Sequence, residues 1–246
     1  MGVFSLSFSA RPSEADPVDD FRMNLGKPTG RHAEDLSGGS FRLIPEQTVI
    51  RILADRMVGI PKADAPRFAK HLIDLCKTHR FDPAFVLSLI DVESHFRAGV
   101  VSPAGAVGLM QVMAPTAHFV LTKLAAEKGL PFAEVDLETQ KRLRNIRLQK
   151  LAPLLKEPYL NTAIGIAYLG WLRDYYEGMP PYYVLAAYNV GPAKMDELLS
   201  RKSFRPQETK KYYASILKRV HHFRFYDEPS ARKIKRISSR GKSRVL

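Results

Sequence analysis

From about Pro45 onward, apolar residues return every three to four positions, and the two-residue alternation of a half-buried strand is almost absent. That period confines the chain to packing helix on helix. "EQTVIRILADRMVGI" carries it up to Pro61, "APRFAKHLIDLCKTHR" forms a second helix and "DPAFVLSLIDVESHF" a third. Residues 100–114 break the pattern with Pro103, Gly105 and Gly108, which predicts a loop or short hairpin. Further helices are expected at about 115–128, 137–151, 159–176, 181–188, 192–200 and 207–222. The fold class is therefore mainly α. Residues 1–44 are rich in Gly, Ser, Pro, Asp and Arg without periodicity and read as a flexible extension. Residues 45–228 form the helical domain and 229–246 a basic tail.

The third helix contains an anomaly. Asp82 can cap its first N–H groups, and Pro83 at the first position surrenders a donor that would be unpaired anyway. Val86, Leu89 and Ile90 then form an apolar stripe, and the next position on that stripe is Glu93. An acid there either reaches water or a cation, or is held in an apolar pocket. In a pocket, desolvation disfavours the charged form and keeps the group protonated near neutral pH, as a general acid requires.

Composition narrows the class. At 246 residues and 45% hydrophobic, the chain suits one medium-sized domain with tails. No apolar run is long enough to span a bilayer. A net charge of +13 points to a polyanionic partner: nucleic acid, anionic lipid or an acidic wall polymer. One cysteine excludes an internal disulfide framework, and Cys76, in helical register with Phe68 and Leu72, reads as core. His71, His79, His95 and His118 lack metal-ligand spacing with carboxylates or cysteine, so no metal is expected. The opening "MGVFSLSFSARP" lacks a basic run and its apolar stretch is broken by serines, which makes a poor export signal. No zinc-finger or RNA-binding pattern supports specific nucleic-acid binding.

The residues after Glu93 carry more. Glu93-Ser94 is followed by Ser102, then Gly105-Ala106-Val107-Gly108-Leu109-Met110-Gln111, then Met113 and Thr116-Ala117. Asn161, Gly165 and Tyr168-Leu169 form a second block, Ala186-Ala187-Tyr188-Asn189-Val190-Gly191-Pro192 a third, and Glu208-Thr209 with Tyr212 a fourth. This ordered set resembles the family-1 lytic transglycosylases, the catalytic (SLT) domain of soluble lytic transglycosylases, related in fold to goose-type lysozyme. The resemblance covers about residues 80–220.

The resemblance implies a lysozyme-like helical domain acting on peptidoglycan glycan strands, with Glu93 as catalytic acid and base. It implies substrate contacts at Ser94, Ser102, Met110, Gln111, Tyr188, Asn189 and Glu208, with the Tyr188 hydroxyl near the catalytic carboxyl and orienting it. Gly105 and Gly108 would allow a tight backbone path and close approach of a sugar, Met110 an apolar wall, and Gln111 an amide toward hydroxyl and acetamido groups. A two-carboxylate glycosidase would need a second acid at the same bond. Asp91 points about 200 degrees around the helix from Glu93. The family works with one Glu, so the implied reaction is non-hydrolytic cleavage to a 1,6-anhydromuramoyl end, without cofactor. The alternatives are a hydrolytic goose-lysozyme-like muramidase and a silent wall-binding module. A monomer in the periplasm or cell envelope is expected.

The tail "ARKIKRISSRGKSRVL" holds seven cations and no acid. Read as an anchor rather than a solvated end, it adds affinity for anionic envelope polymers that salt screens over about 8–10 Å. Deleting residues 230–246 is expected to weaken pelleting with wall sacculi at low salt and to leave turnover of short soluble fragments unchanged. Equal pelleting with and without the tail, at low and high salt, would remove the anchor.

Overall fold

A computed structural model describes residues 44–125, 143, 145–179, 181–204 and 206–227, the last stretch without the side chains of 206–208 and 210. The extension at 1–44, apart from Ile44, and the tail at 229–246 lie outside the described residues. The described chain forms α1 (Glu46–Arg56), α2 (Ala65–His79), α3 (Pro83–Ser94), α4 (Ala114–Phe119), the single turn α5 (Leu151–Leu154), α6 (Pro158–Tyr175), α7 (Pro181–Val190), α8 (Pro192–Ser200) and α9 (Pro206–Arg224). The fold is mainly helical, and β pairing among the described residues is limited to isolated bridges. No described helix is long and apolar enough to cross a membrane.

Proline at the first position opens α3, α6, α7, α8 and α9, where its fixed φ suits the helix and its missing N–H costs nothing. Asp82 caps α3 as its chemistry predicts, with the carboxylate accepting from the Ala84 N–H at 2.8 Å. The stripe reading of α3 needs correction. Every residue from Pro83 to Asp91 is buried, so α3 is a central helix enclosed on all sides rather than an amphipathic one. Phe85, Leu87, Leu89 and Ile90 are fully buried, each contributing about 1.5–3 kcal/mol. Cys76 is buried as core, and desolvation pushes its thiol pKa far up.

α3 packs most extensively on α9. Its polar contacts there run in opposite order along the two helices. Asp82 meets Arg224 at 2.6 Å, Asp91 meets Arg219 at 2.8 Å, and Glu93 meets Tyr212, so α3 and α9 are antiparallel. Asp91, 5% exposed, also accepts from Arg56 of α1 at 2.5 Å. α7 bridges α6, α8 and α9, while α2 joins α1 to α6.

Two expected helices differ. The helix expected over 115–128 is α4 followed by a π-helical turn at Val120–Leu124, with 126–128 outside the described residues. Within that turn the Thr122 hydroxyl donates to the His118 carbonyl at 2.7 Å, competing for an acceptor that the backbone ladder would use. Of the helix expected over 137–151, residues 137–142 and 144 lie outside the described residues, and Leu148–Lys150 is a 3-10 turn leading into α5. Pro153 lacks the N–H to extend that turn into a longer helix. The 100–114 stretch is a short hairpin: Val107 and Val112 exchange both backbone bonds at 3.0 Å, and Val101 bridges to Val107.

Asp91→Ala would leave two guanidiniums facing one another without their carboxylate. Urea unfolding is expected to show a loss of about 2–4 kcal/mol, held below the largest values because Arg56 and Arg219 are 31% and 30% exposed. A loss under about 0.5 kcal/mol would make the cluster no more than a surface ion pair.

Candidate active site

Glu93 occupies the last turn of α3. The chain then turns through two left-handed residues, His95 at φ 51° and Phe96 at φ 59°, a conformation costing on the order of 1–3 kcal/mol per non-glycine residue. Tertiary contacts hold it. The Phe96 ring is fully buried, edge-on to Phe223 at 5.9 Å and under the Arg56 guanidinium at 5.1 Å. The Phe96 carbonyl accepts from the Val58 N–H at 3.0 Å. The turn therefore fixes the direction in which the end of α3 presents Glu93.

The Glu93 residue is half-buried, but its carboxyl is surrounded by protein, and desolvation raises its pKa from an ordinary 4.5 to about 7. The Tyr212 hydroxyl on α9 donates to Glu93 Oε1, which favours the ionised form and acts in the opposite direction. No carboxylate is among the described groups that act on Glu93. Asp91 faces elsewhere, engaged by Arg56 and Arg219.

The direct hydroxyl partner of Glu93 is thus Tyr212, not Tyr188. Tyr188 donates instead to the Met110 carbonyl at 2.8 Å. Its pKa stands well above the ordinary value, first through burial and then through the nearby charge of Glu93, so it lies beside the carboxyl and ties the 107–111 turn to it. Tyr212 is raised in the same way, by burial and by Glu93. Both phenols therefore stay protonated as donors. The Glu208-Thr209…Tyr212 spacing was visible in the chain, but nothing in the spacing says which tyrosine reaches the acid.

The turn rests on a buried support from the second sequence block, whose spacing alone assigns it no role. Asn161, fully buried in α6, accepts from the Met110 N–H at 2.8 Å and donates to the carbonyls of Val107 at 2.8 Å and Leu155 at 2.9 Å. Gly108, at φ 80°, packs so closely that an added Cβ would sit 2.4 Å from Asn161 Nδ2 and 2.5 Å from the Leu155 oxygen. The close approach that this glycine permits is to protein. A Cβ on Gly165 would meet Met110 Sδ at 2.6 Å, so Met110 is seated against α6.

The other expected site residues divide by exposure. Met110 has no exposed surface and backs the site from inside. Ser94 is 1% exposed and its hydroxyl donates to the Ile90 carbonyl at 3.0 Å, serving its own helix rather than facing outward. Ser102 is half-buried and accepts from the Ala106 N–H at 3.0 Å, closing the hairpin tip. Gln111, at φ 50°, donates to the Gly108 carbonyl at 2.9 Å. Asn189 is exposed in the last turn of α7, and its side chain has no partner among the described residues. The Glu208 side chain lies outside the described residues. The ensemble is a carboxyl poised between its two protonation states near neutral pH, next to two phenols and a rigid turn.

The sequence model of the transglycosylase SLT domain family matches residues 73–130 and 138–211. Membrane-bound lytic murein transglycosylase C of Actinobacillus pleuropneumoniae serotype 5b (strain L20), and the protein of the same name from serotype 3 (strain JL03), are each 29% identical over 156 residues, 61% of this chain and 38% of theirs. The chain thus spans 38% of the length of these curated relatives. The X-ray structure of an inactive mutant of the lytic transglycosylase Slt from Pseudomonas aeruginosa aligns with a TM-score of 0.45 and 22% identity, covering 87% of this chain and 38% of that one.

Because the folded state raises Glu93 above its ordinary 4.5 to about 7, it binds that proton more tightly than the unfolded chain does. The contribution of this group to stability is therefore full below about pH 4.5 and is lost as pH rises through about 7. Glu93→Gln carries no such titration. Its stability is expected to run ahead of wild type as pH rises from about 4 to 8, by up to about 3 kcal/mol, measured by denaturant unfolding across pH. A difference that stays constant over that range would mean Glu93 titrates normally.

Proposed function

The chain belongs to the transglycosylase SLT domain family, and from that premise we propose that it is a peptidoglycan lytic transglycosylase that cleaves the β-1,4 bond between N-acetylmuramic acid and N-acetylglucosamine and leaves a 1,6-anhydromuramoyl end. The observation that carries this reading is the Glu93 carboxyl, held by the Tyr212 hydroxyl and desolvated so that its pKa is raised to about 7, with no carboxylate among the described groups that act on it.

The steps follow from that group. Protonated Glu93 delivers its proton to the glycosidic oxygen as the bond from C1 to that oxygen breaks, releasing the leaving sugar with a free hydroxyl. The substrate's own 2-acetamido oxygen supports the cation developing at C1. That role would otherwise fall to a second carboxylate, and Asp91, neutralised by Arg56 and Arg219, is poorly suited to it. The Glu93 carboxylate then takes the proton of the C6 hydroxyl, whose oxygen bonds to C1. Glu93 ends protonated and no water is consumed. Tyr212 stabilises the carboxylate between the two transfers, and burial favours the acid before and after. The balance between these opposing influences leaves both states within reach, the condition under which one group can serve as acid and then base.

The Tyr188 bond to the Met110 carbonyl and the Asn161 bonds to the same turn supply rigidity next to the carboxyl. A misplacement of about 1 Å can cost on the order of a hundredfold in rate. We assign Ser102, Gln111, Asn189 and Glu208 to contacts with the glycan. In the same reading the domain comprises residues 45–228, acts in the periplasm or cell envelope, and needs no cofactor.

Digestion of purified peptidoglycan followed by mass analysis tests the reading. Products are expected to be lighter by one water than the corresponding hydrolytic muropeptides. Reducing ends without that deficit would make the enzyme a hydrolase. Glu93→Gln is expected to fold, to bind glycan and to lose at least about 10²-fold in turnover. An active variant would remove Glu93 from the chemistry.

A further inference from the structure

A row of aromatic rings leaves the site along α6. Tyr188 lies 5.7 Å from Tyr168 between ring centroids, Tyr168 lies 5.8 Å from Trp171 with planes 15° apart, and Trp171 lies 5.1 Å from Tyr175 with planes 32° apart. Phe119 of α4 braces Trp171 edge-on at 4.8 Å. Positions 168, 171 and 175 share one helix face, so the row advances about 10 Å along the axis. Exposure grows in the same direction: Tyr168 is 7% exposed, Trp171 is half-buried and Tyr175 is 54% exposed. The acid–base centre uses none of the outer rings.

The outermost ring is exposed but anchored. The Tyr175 hydroxyl donates to Asp196 Oδ2 at 2.9 Å, and the Tyr176 hydroxyl donates to Asp196 Oδ1 at 2.8 Å. One carboxylate on α8 therefore fixes two consecutive tyrosines. An exposed tyrosine needs no such restraint for solubility or folding. A ring held ready in water does save the ordering cost of a partner that must lie against it. Tyr and Trp provide broad, rigid, amphipathic contact area of this kind, with an apolar face and a polar edge. A pyranose ring has the matching chemistry: a flat C–H face bordered by hydroxyls that can donate to Asp196.

We propose that Trp171 and Tyr175 form a distal saccharide-binding surface that holds sugar units of the glycan strand beyond those engaged at Glu93. The continuity of ring contacts from Tyr188 outward selects this occupant. The inference rests on the reading that a glycan strand is the substrate. On this surface the enzyme grips long strands better than short ones without any change in its chemistry.

Trp171 is the single tryptophan of the chain, so its fluorescence reports this surface alone. The full chain carrying Glu93→Gln is titrated with the β-1,4-linked hexamer of N-acetylglucosamine, with the disaccharide, and with a free stem peptide. The hexamer is expected to shift Trp171 emission. Tyr175→Ala is expected to weaken hexamer binding about three- to tenfold, the range for losing one aromatic contact. Asp196→Asn, which keeps the ring and loosens its hydroxyl, should fall between. In the otherwise wild-type enzyme, Tyr175→Ala should raise KM on long strands by a similar factor and leave kcat/KM on the shortest cleavable fragment unchanged. Thermal unfolding of each variant separates a folding defect from a binding one. An unresponsive Trp171, or equal hexamer affinity with and without the Tyr175 ring, would overturn the proposal. So would a response to the stem peptide and not to the sugar. Wild-type protein that releases no muropeptide while Trp171 still reports the hexamer would support the surface and place the failure in the reading of the reaction.

Discussion

Two carboxylates two residues apart on α3 meet opposite treatment, and the arrangement of the domain follows from it. Asp91 is buried with charge compensation: guanidiniums from α1 and α9 reach its two oxygens at 2.5 and 2.8 Å. Glu93 is enclosed, hydrogen-bonded to one phenol, with no cation among the described groups that act on it. A buried charge without a partner costs several kcal/mol, and a carboxyl avoids that cost by keeping its proton. The pairing at Asp91 makes it possible to sink the polar end of α3 into the protein. The lack of pairing at Glu93 is what leaves a reactive group there.

The same pairing sets the register of α9. With Asp82 on Arg224 and Asp91 on Arg219, the antiparallel helix has little freedom to slide, and Tyr212 is delivered to Glu93. On the other side, Asn161 acts through three buried bonds as a template for the 107–111 turn, and Gly108 and Gly165 are the positions where a side chain would collide with that template. The Met110 carbonyl then receives Tyr188. Strain at His95, Phe96 and Gln111, all left-handed, is the local cost. It is offset by burial of the Phe96 ring, by the Val58 N–H bond to the Phe96 carbonyl, and by the Asn161 bonds to the 107–111 turn.

Rigidity near the acid and openness farther out are both visible along α6. Its first half holds Asn161 and Gly165 against the turn, and its last two turns carry Trp171 and Tyr175 toward solvent. One helix thus links the support of the reacting group to the surface on which a long polymer would lie.

Much of this was legible in the chain alone. The 3.6-residue period and the proline starts at 158, 181, 192 and 206 mark α6 to α9 closely, because helix initiation is a local event governed by φ and by unpaired N–H groups. Glu93 stood out for the same reason: an acid on an apolar stripe is a local contradiction. The pattern was less able to show that α3 is buried all round, since periodicity within one helix reports its own faces and not how many neighbours cover them. It did not distinguish Tyr188 from Tyr212 as the partner of the acid, nor reveal that Met110 and Ser94 turn inward. Those outcomes depend on how α9 docks on α3 and how α7 packs on α6 and α9, which is decided by contacts such as Asp91 with Arg219, 128 residues apart. The sequence by itself determined which segments are helical and which carboxyl is out of place. Only the tertiary structure decided which groups surround that carboxyl, because desolvation and hydrogen bonding are properties of the space around a side chain and not of its neighbours along the chain.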